Sequence, residues 1–244
     1  VAVLIAKVHA RGYAPRILDL VNDGTPRSWT LTEGATVHGT LRRHGRPAVG
    51  AVVGVVPVFR DSLGFSDSTE IATNGDGEFS IPNLPPGGEY RLYARMDSLP
   101  AGSGLSTRPL LVPEGEPIVD LGPMVLEDSW TLRGRVVTED GGAATAGVTL
   151  GVQREETDDF LMADVFPDGS FEARGLPKEE LILLVDVEGF RLSPLNDNLE
   201  AKASTPFLRI RPRDRGRLLN VLLEPDPRSS RAVPRAENIP LPLP

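Results

Sequence analysis

Short runs rich in valine and leucine recur along the chain, and glycine, proline, asparagine or aspartate separates each run from the next. In one run, residues 181–187, apolar side chains stand at every second position, at Leu181, Leu183, Val185 and Val187. Such alternation places the apolar side chains on one face of a β-strand. Roughly seven such runs fall within each stretch of about 95 residues, as in a Greek-key sandwich. The pattern predicts an all-β protein made of tandem Greek-key β-sandwiches with about seven strands each.

The chain repeats a short pattern around two predicted turns. Residues 74–85 read NGDGEFSIPNLP and residues 167–177 read PDGSFEARGLP, so Asp-Gly, an aromatic residue and Leu-Pro recur in the same order. Upstream, residues 36–41 (TVHGTL) match residues 131–136 (TLRGRV). The small difference in spacing is absorbed in loops, which tolerate insertions. The sequence therefore predicts two full repeats.

The opening of the chain belongs to the same pattern, because residues 8–13 (VHARGY) resemble residues 185–190 (VDVEGF). We expect strands there that pair with each other or with the first full repeat. The end of the chain is rich in proline and shows no alternation, which is typical of an extended segment. The predicted segments are 1–33, the C-terminal half of a preceding repeat; 34–128 and 129–224, two sandwich repeats; and 225–244, a Pro-rich linker or disordered tail.

Each repeat places a phenylalanine shortly after its tight turn. Glycine and asparagine or aspartate tolerate the positive φ that a hairpin turn needs, which predicts turns at 74–77 and 167–169. Phe79 and Phe171 follow two residues after the turn glycine, so alternation directs both rings into the core. The Leu-Pro pairs then end the strand, because proline has no N–H for the ladder.

Composition narrows the classes of protein. The chain has 25 glycines and 23 prolines among 244 residues, which is high for a helical enzyme. It has no cysteine, so neither a disulfide nor thiol chemistry is available. The formal net charge of −8 disfavours a general role in nucleic-acid binding. No apolar run is long enough to span a membrane, and no signal peptide is visible. Because the chain also lacks an initiator methionine, we interpret it as part of a longer protein.

The turn motifs resemble those of the carboxypeptidase regulatory-like domain, and collagen-adhesin B-type repeats are similar. The matching residues are Gly39, Gly45-Arg46-Pro47, Asp76-Gly77-Glu78-Phe79 and Leu84-Pro85-Pro86-Gly87-Gly88-Glu89-Tyr90. In the second repeat Lys178-Glu179-Glu180 replaces the Pro-Gly loop, and Leu181 stands at the tyrosine position. The resemblance implies an Ig-like, prealbumin-like (transthyretin-like) sandwich. It also implies a non-catalytic appendage or spacer of a secreted, periplasmic or surface-attached protein.

The residues that carry chemistry are few and scattered. His9, His38 and His44 have no second histidine or cysteine at ligand spacing, so we expect no metal site and no cofactor. Ser103 lies in a Gly-Ser-Gly sequence that we interpret as a flexible loop. Asn74 to Glu78 begins like a calcium loop, but no glutamate completes the pattern. With no catalytic set, we expect no enzyme activity; a chance pair of carboxylates is the one alternative left open.

Two charged clusters are candidate interaction sites. The first is a row of arginines at every second position: Arg209, Arg211, Arg213, Arg215 and Arg217. An extended row would put five guanidinium groups on one face, for an anionic polymer or phosphate, whereas a turn at Pro212 to Gly216 would fan them out. The second is an acidic loop that contains Glu155, Glu156, Asp158 and Asp159. The simpler interpretations are an edge strand guarded by arginines and a solvated loop.

Three functions follow from these observations. The main hypothesis is a non-catalytic structural or interaction module, a set of spacer or display domains in a larger extracytoplasmic protein. Its expected partners are neighbouring domains of the same chain, and either protein or polysaccharide. One alternative is a domain that binds carbohydrate or an anionic polymer, although few aromatic residues are available to stack on sugars. The other is an accessory domain of an enzyme whose catalytic part lies outside this chain.

Overall fold

The computed structural model describes residues 3–21, 23–58, 68–143, 147–157, 159–202 and 205–227. Within these ranges the chain forms β-strands joined by turns, with short 3-10 helices at Met96–Ser98 and Pro212–Asp214. The all-β fold class predicted from the hydrophobic pattern is therefore confirmed. No helix in the described ranges is long and apolar enough to cross a membrane.

The chain divides into two compact units. Unit 1 contains Val1–Thr131, Gln153–Leu161 and Arg174–Glu180. Unit 2 contains Leu132–Val152, Met162–Ala173 and Leu181–Pro244. Unit 1 thus includes two short segments of the predicted second repeat, and both carry residues of the site described below. The repeat boundary between residues 128 and 129 stays a prediction.

Unit 1 opens with a hairpin. Strand β1 (Val3–Val8) pairs antiparallel with β2 (Arg16–Val21), as expected for the opening segment. The strands that follow are β3 (Ala35–Arg43), β4 (Arg46–Pro47), β5 (Val52–Pro57), β6 (Thr69–Ala72), β7 (Glu78–Leu84), β8 (Glu89–Ala94), β9 (Ser103–Gly104), β10 (Arg108–Leu111), β11 (Ile118–Val125) and β12 (Glu127–Asp128). One sheet has the order β10-β8-β5-β6, and the other has the order β11-β3-β4 with β7 also paired to β3.

The core of this first sandwich follows from alternation. Along β3 the inward positions are buried and the residues between them are half-buried. Side chains from both sheets form a single cluster that includes Val37, Phe79, Val53 and Leu92. Two sheets that share one apolar core are a β-sandwich.

Unit 2 is built from the later strands, some of which begin or end in the segments of unit 1. They are β13 (Trp130–Thr138), β14 (Val148–Gln153), β15 (Phe160–Met162), β16 (Asp164–Val165), β17 (Ser170–Leu176), β18 (Leu181–Val187), β19 (Phe190–Leu192), β20 (Leu199–Lys202), β21 (Thr205–Ile210) and β22 (Leu218–Pro225). The sheet orders are β16-β17-β13-β22-β19 and β15-β14-β18-β21-β20. On β18, Leu181, Leu183 and Val187 are buried as predicted, whereas Val185 is half-buried.

Each of the two sandwiches pairs its first long strand with its last long strand in parallel. In the first sandwich β3 lies parallel to β11, with a bulge between Asp120 and Pro123. In the second sandwich β13 lies parallel to β22, and residues 133–138 face residues 218–223 without interruption. The chain therefore enters and leaves each sandwich along neighbouring strands.

A glycine and a phenylalanine make the same contact in both sandwiches. Both predicted core rings are buried, with 4% of Phe79 and 2% of Phe171 exposed. A Cβ atom on Gly39 would lie 2.7 Å from Cζ of Phe79, and a Cβ atom on Gly134 would lie 2.5 Å from Cζ of Phe171. Because such distances are shorter than any ordinary van der Waals contact, only glycine leaves room for each ring.

We expect Gly39→Ala and Gly134→Ala each to lower the free energy of unfolding by about 1–3 kcal/mol, the usual cost of overpacking a core. The loss should be larger at Gly134, because the new Cβ would also lie 2.3 Å from the carbonyl oxygen of Leu219. Urea unfolding measures both values. Gly75→Ala is the matched control, since no heavy atom lies within 4 Å of its Cβ position. A Gly39→Ala variant as stable as the control would contradict the packing described here.

Candidate functional site

The acidic loop after β14 encloses a buried arginine. Arg154 is the first residue after β14, and only 2% of its side chain is exposed. Its Nε atom donates a hydrogen bond to Asp159 at 2.7 Å, and its Nη1 atom donates to Thr107 at 3.0 Å and to Glu179. Its Nη2 atom donates to the carbonyl oxygens of Ala94 at 3.1 Å and Leu105 at 2.9 Å. All of these residues belong to unit 1.

This arrangement satisfies a guanidinium group completely. The group has five N–H bonds, and each has an acceptor among the five oxygen atoms named above. A buried charge is tolerated only when it is paired and its remaining hydrogen bonds are made. Two carboxylates and three uncharged oxygens meet both conditions. We call Arg154, Asp159, Glu179 and Thr107 the Arg154 network.

Asp159 is as deeply buried as its partner. Its carboxylate also accepts the backbone N–H of Met96, at 3.3 Å and 3.2 Å for its two oxygens. Burial raises the pKa of Asp159, whereas the charge and hydrogen bonds of Arg154 and the N–H of Met96 act in the opposite direction. The ionised state of this carboxylate therefore depends on Arg154.

The rest of the acidic loop lies at the surface. Glu155 and Glu156 form an exposed turn, and Glu156 pairs with Arg91. Asp158 lies outside the described residues. The interpretation as a solvated loop therefore fails for Asp159, which is part of the core, and holds for the turn before it. Sequence reasoning missed Arg154, Thr107 and Glu179, and the only signal was a charged residue directly after an apolar strand.

The arginine row does not form one cationic face, because the 3-10 helix at Pro212–Asp214 breaks the extended conformation. Arg209 donates to Glu200 at 2.8 Å, and its guanidinium carbon lies 5.6 Å from the ring centre of Phe207. Arg211 also donates to Glu200, at 3.3 Å. Arg215 is half-buried, and Arg213 and Arg217 are exposed. The turn is not a hairpin either, because β21 and β22, which it joins, belong to different sheets.

The turns that resembled a calcium loop are held by their own side chains. Oδ1 of Asn74 accepts the backbone N–H groups of Asp76 and Glu78, both at 2.9 Å. In the matching turn, hydrogen bonds from Ser170 lower the pKa of Asp168. The described residues contain no group of three or more His, Asp or Glu side chains that could hold a metal ion.

Serine, histidine and aspartate meet on the outer face of the first sandwich. The strand registers place Asp120 beside His38 and His38 beside Ser80, in a cleft of about 760 Å³. Among these described residues, however, no hydrogen bond joins Ser80 to His38 or His38 to Asp120. Asp120 instead accepts the N–H of Gly122 at 2.8 Å. Nucleophilic catalysis needs a base that contacts the nucleophile and is itself oriented, so the row is not assembled as a catalytic triad.

The burial of Ser103 and of the aromatic side chains bears on two of the sequence-based expectations. Ser103 is not in a flexible loop, because it is buried in β9, which pairs with β12. Tyr90 and Tyr93 are buried, whereas the exposed aromatic side chains of the described residues are Tyr13, Trp29, Phe160 and Phe166, at 42%, 41%, 38% and 43%. Few aromatic surfaces are therefore available in the described residues for stacking on sugar rings.

Comparison with known proteins gives only distant similarities. No family model and no curated protein matches the chain, so the specific resemblance to the carboxypeptidase regulatory-like domain is not confirmed. A streptococcal ancillary pilin is 16% identical, with 90% of this chain and 73% of that chain covered and a TM-score of 0.34. A minor pilin of Streptococcus agalactiae is 13% identical, with 80% and 97% covered and a TM-score of 0.33. The shaft pilin SpaA of Lactobacillus rhamnosus GG is 10% identical, with 79% and 98% covered and a TM-score of 0.29. At these TM-scores we draw no conclusion about function from the similarity.

We expect Arg154→Met to lower the free energy of unfolding by about 3–5 kcal/mol, because it leaves two carboxylates without their buried counter-charge. Arg91→Met is the matched control, since it removes a surface ion pair from the same loop and should cost at most about 1 kcal/mol. Urea unfolding measures both values. Arg154→Met/Asp159→Leu should cost less than the sum of the single changes, since it removes both charges.

The loss in Arg154→Met should shrink at acidic pH. Burial without the arginine leaves the pKa of Asp159 raised in the folded state, so protonation favours folding and stability returns as the pH falls. If Arg154→Met were as stable as Arg91→Met at neutral pH, the network would not hold the structure together.

Proposed function

We propose that this chain is a non-catalytic spacer or display module of a larger extracytoplasmic protein, in which tandem β-sandwiches carry tension between neighbouring domains of the same chain. The observation that supports this most directly is the parallel pairing of the first and last long strands in each sandwich. The extracytoplasmic location is part of the proposal and rests on the resemblance of the turn motifs.

Parallel pairing determines whether a pulling force stretches the hydrogen bonds between two strands together or one after another. When two strands run in the same direction, the start of one and the end of the other lie at opposite ends of the pair. A force applied between those two points slides the strands past each other, so the bonds of the whole ladder are stretched together. Antiparallel strands pulled from one shared end instead separate one bond at a time. A force applied between the first and last residues of such a sandwich therefore shears the parallel ladder, which is the direction in which the ladder resists rupture best.

The two sandwiches differ in the continuity of this ladder. Between β13 and β22 the pairing is unbroken, and the N–H of Glu139 extends it by donating to the carbonyl oxygen of Leu223 at 3.1 Å. Between β3 and β11 the bulge before Pro123 interrupts it. The second sandwich should therefore resist the larger force.

The hydrogen bonding of the polar side chains supports the proposal that the chain is non-catalytic. The acidic loop contributes Asp159 to a closed network whose charges already have partners. The side chains of Asp120, His38 and Ser80 are neighbours but are not joined by hydrogen bonds. Neither arrangement presents an activated nucleophile.

The tension proposal can be tested by single-molecule force spectroscopy with two attachment geometries. Ser129→Cys/Asp226→Cys pulls β13 against β22 along the ladder, and Glu188→Cys/Asp226→Cys pulls β19 from β22 at one shared end. The chain has no natural cysteine, so each pair provides unique attachment points. We expect a higher rupture force in the first geometry. Equal rupture forces would contradict the proposed role of the parallel ladder.

The absence of catalysis is tested with activated esters such as p-nitrophenyl acetate. We expect the wild-type chain and the Ser80→Ala and His38→Ala variants to hydrolyse the ester at the same slow rate, because Ser80 and His38 are not joined by a hydrogen bond. His44→Ala removes an exposed imidazole from a turn and corrects for general surface catalysis. A saturable activity that disappears in Ser80→Ala but persists in His44→Ala would show that the chain is an enzyme.

A further inference from the structure

A cleft of about 380 Å³ lies in unit 2 beside the turn that carries the arginine row. Residues 211–217, which include the 3-10 helix at Pro212–Asp214, supply most of its polar lining, and Asn220 of β22 and the turn before β20 supply the rest. Its apolar lining includes Leu132, Ile210 and Leu219. The volume lies within the range of small-ligand sites, about 300–1,000 Å³.

Three polar side chains at this cleft have no partner among the residues that the structure describes. Arg213, Arg217 and Asn220 line the cleft, and all three are exposed. Within the described part of the chain their side chains make no hydrogen bond or ion pair. Arg211 also lines the cleft, and its hydrogen bond to Glu200 fixes its position. Within the described residues, the site thus offers two guanidinium groups and one amide that are available to hydrogen-bond a ligand.

Acceptors lie beside these donors. Asp197 lines the same cleft with an exposed carboxylate. Asp214 is the second carboxylate of the lining, and its Oδ2 atom accepts the backbone N–H of Arg211 at 2.8 Å. The amide nitrogen of Asn198 donates to the carbonyl oxygen of Arg209 at 2.8 Å, and its side-chain oxygen remains as an acceptor. A carboxylate would repel a simple anion but would accept hydrogen bonds from hydroxyl groups. The mixture therefore suits a molecule that carries both an oxyanion and hydroxyls.

We propose that this cleft binds one or two residues of an acidic polysaccharide, with Arg213 and Arg217 on the carboxylate or sulfate group and Asn220 and Asp197 on neighbouring hydroxyls. The planar guanidinium fork matches the paired oxygens of either oxyanion. This binding role goes beyond the spacer function and does not depend on it. Because the protein carries a net charge of −8, binding of a polyanion depends on local contacts such as those of this cleft, and it weakens as salt rises.

The test is calorimetric titration of the full chain with three oligosaccharides of similar length at low salt. Oligogalacturonate carries carboxylates, a carrageenan oligosaccharide carries sulfates, and maltohexaose is neutral. Inorganic phosphate and a short single-stranded DNA are titrated in parallel. We expect one or both acidic oligosaccharides to bind, and we expect no binding heat from the neutral sugar. Arg213→Gln/Arg217→Gln should weaken that binding by about tenfold or more, because it removes both charged hydrogen-bond donors.

The charge-matched control is Arg46→Gln/Arg108→Gln, which removes two exposed arginines from unit 1 that have no partner in the described residues. It should bind as the wild type does. Circular dichroism and thermal unfolding of each variant separate lost binding from lost folding. Binding of carboxylate or of sulfate sugars identifies the oxyanion and supports the proposal either way. No binding of either acidic sugar, an equal loss in the control, phosphate bound as tightly as the sugars, or a preference for DNA would overturn it.

Discussion

The structure depends on the close packing of one ring against one glycine in each sandwich. β3 and β13 are central strands, and each must approach the phenylalanine strand closely enough for the ladder bonds to form. A side chain at Gly39 or Gly134 would push the ring away and open the core between the two sheets. The parallel pairing with the last strand is formed by the same central strand, so the core contact and the proposed resistance to tension share one element.

Much of this packing could be predicted from the sequence, because it depends on turn residues and on the alternation of side chains within single strands. The turn glycines Gly77 and Gly169 have φ values of 76° and 79°, as the hairpin interpretation requires. A phenylalanine two positions later must then point inward, since side chains alternate along a strand. The glycine partner was recognised only as a matched position. Its role appears when the two strands are placed side by side, which depends on pairing between residues about forty positions apart.

The Arg154 network could not be predicted for a related reason. Its members come from separate parts of unit 1, and the sequence around each one looks like an ordinary polar loop. A run of acidic residues is usually solvated, and the prediction followed that expectation. What decides the outcome is the full set of acceptors around one guanidinium group, which compensates the cost of burying Arg154, while Arg154 in turn compensates the burial of Asp159. The arginine row was similarly ambiguous, because the same alternation fits an extended strand and a hairpin turn, and the structure has a 3-10 helix there instead.

The place where tension enters decides which bonds carry it. The proposed polysaccharide cleft lies at the start of β22, and the chain leaves the second sandwich at the end of that strand. A pull between the cleft and a domain that follows β22 would run along this one strand and would leave its ladder with β13 unstretched. A pull between the cleft and a domain that precedes β13 would act on two strand starts at the same end of a parallel pair, which favours separation from that end. The ladder is stretched as a whole only when force passes from the start of β13 to the end of β22. Spacing and binding in one sandwich therefore place different demands on β22. A polymer held at the cleft leaves the ladder between β13 and β22 unstretched when the opposing force acts on a domain that follows β22. The same polymer favours opening of the ladder when the opposing force acts on a domain that precedes β13.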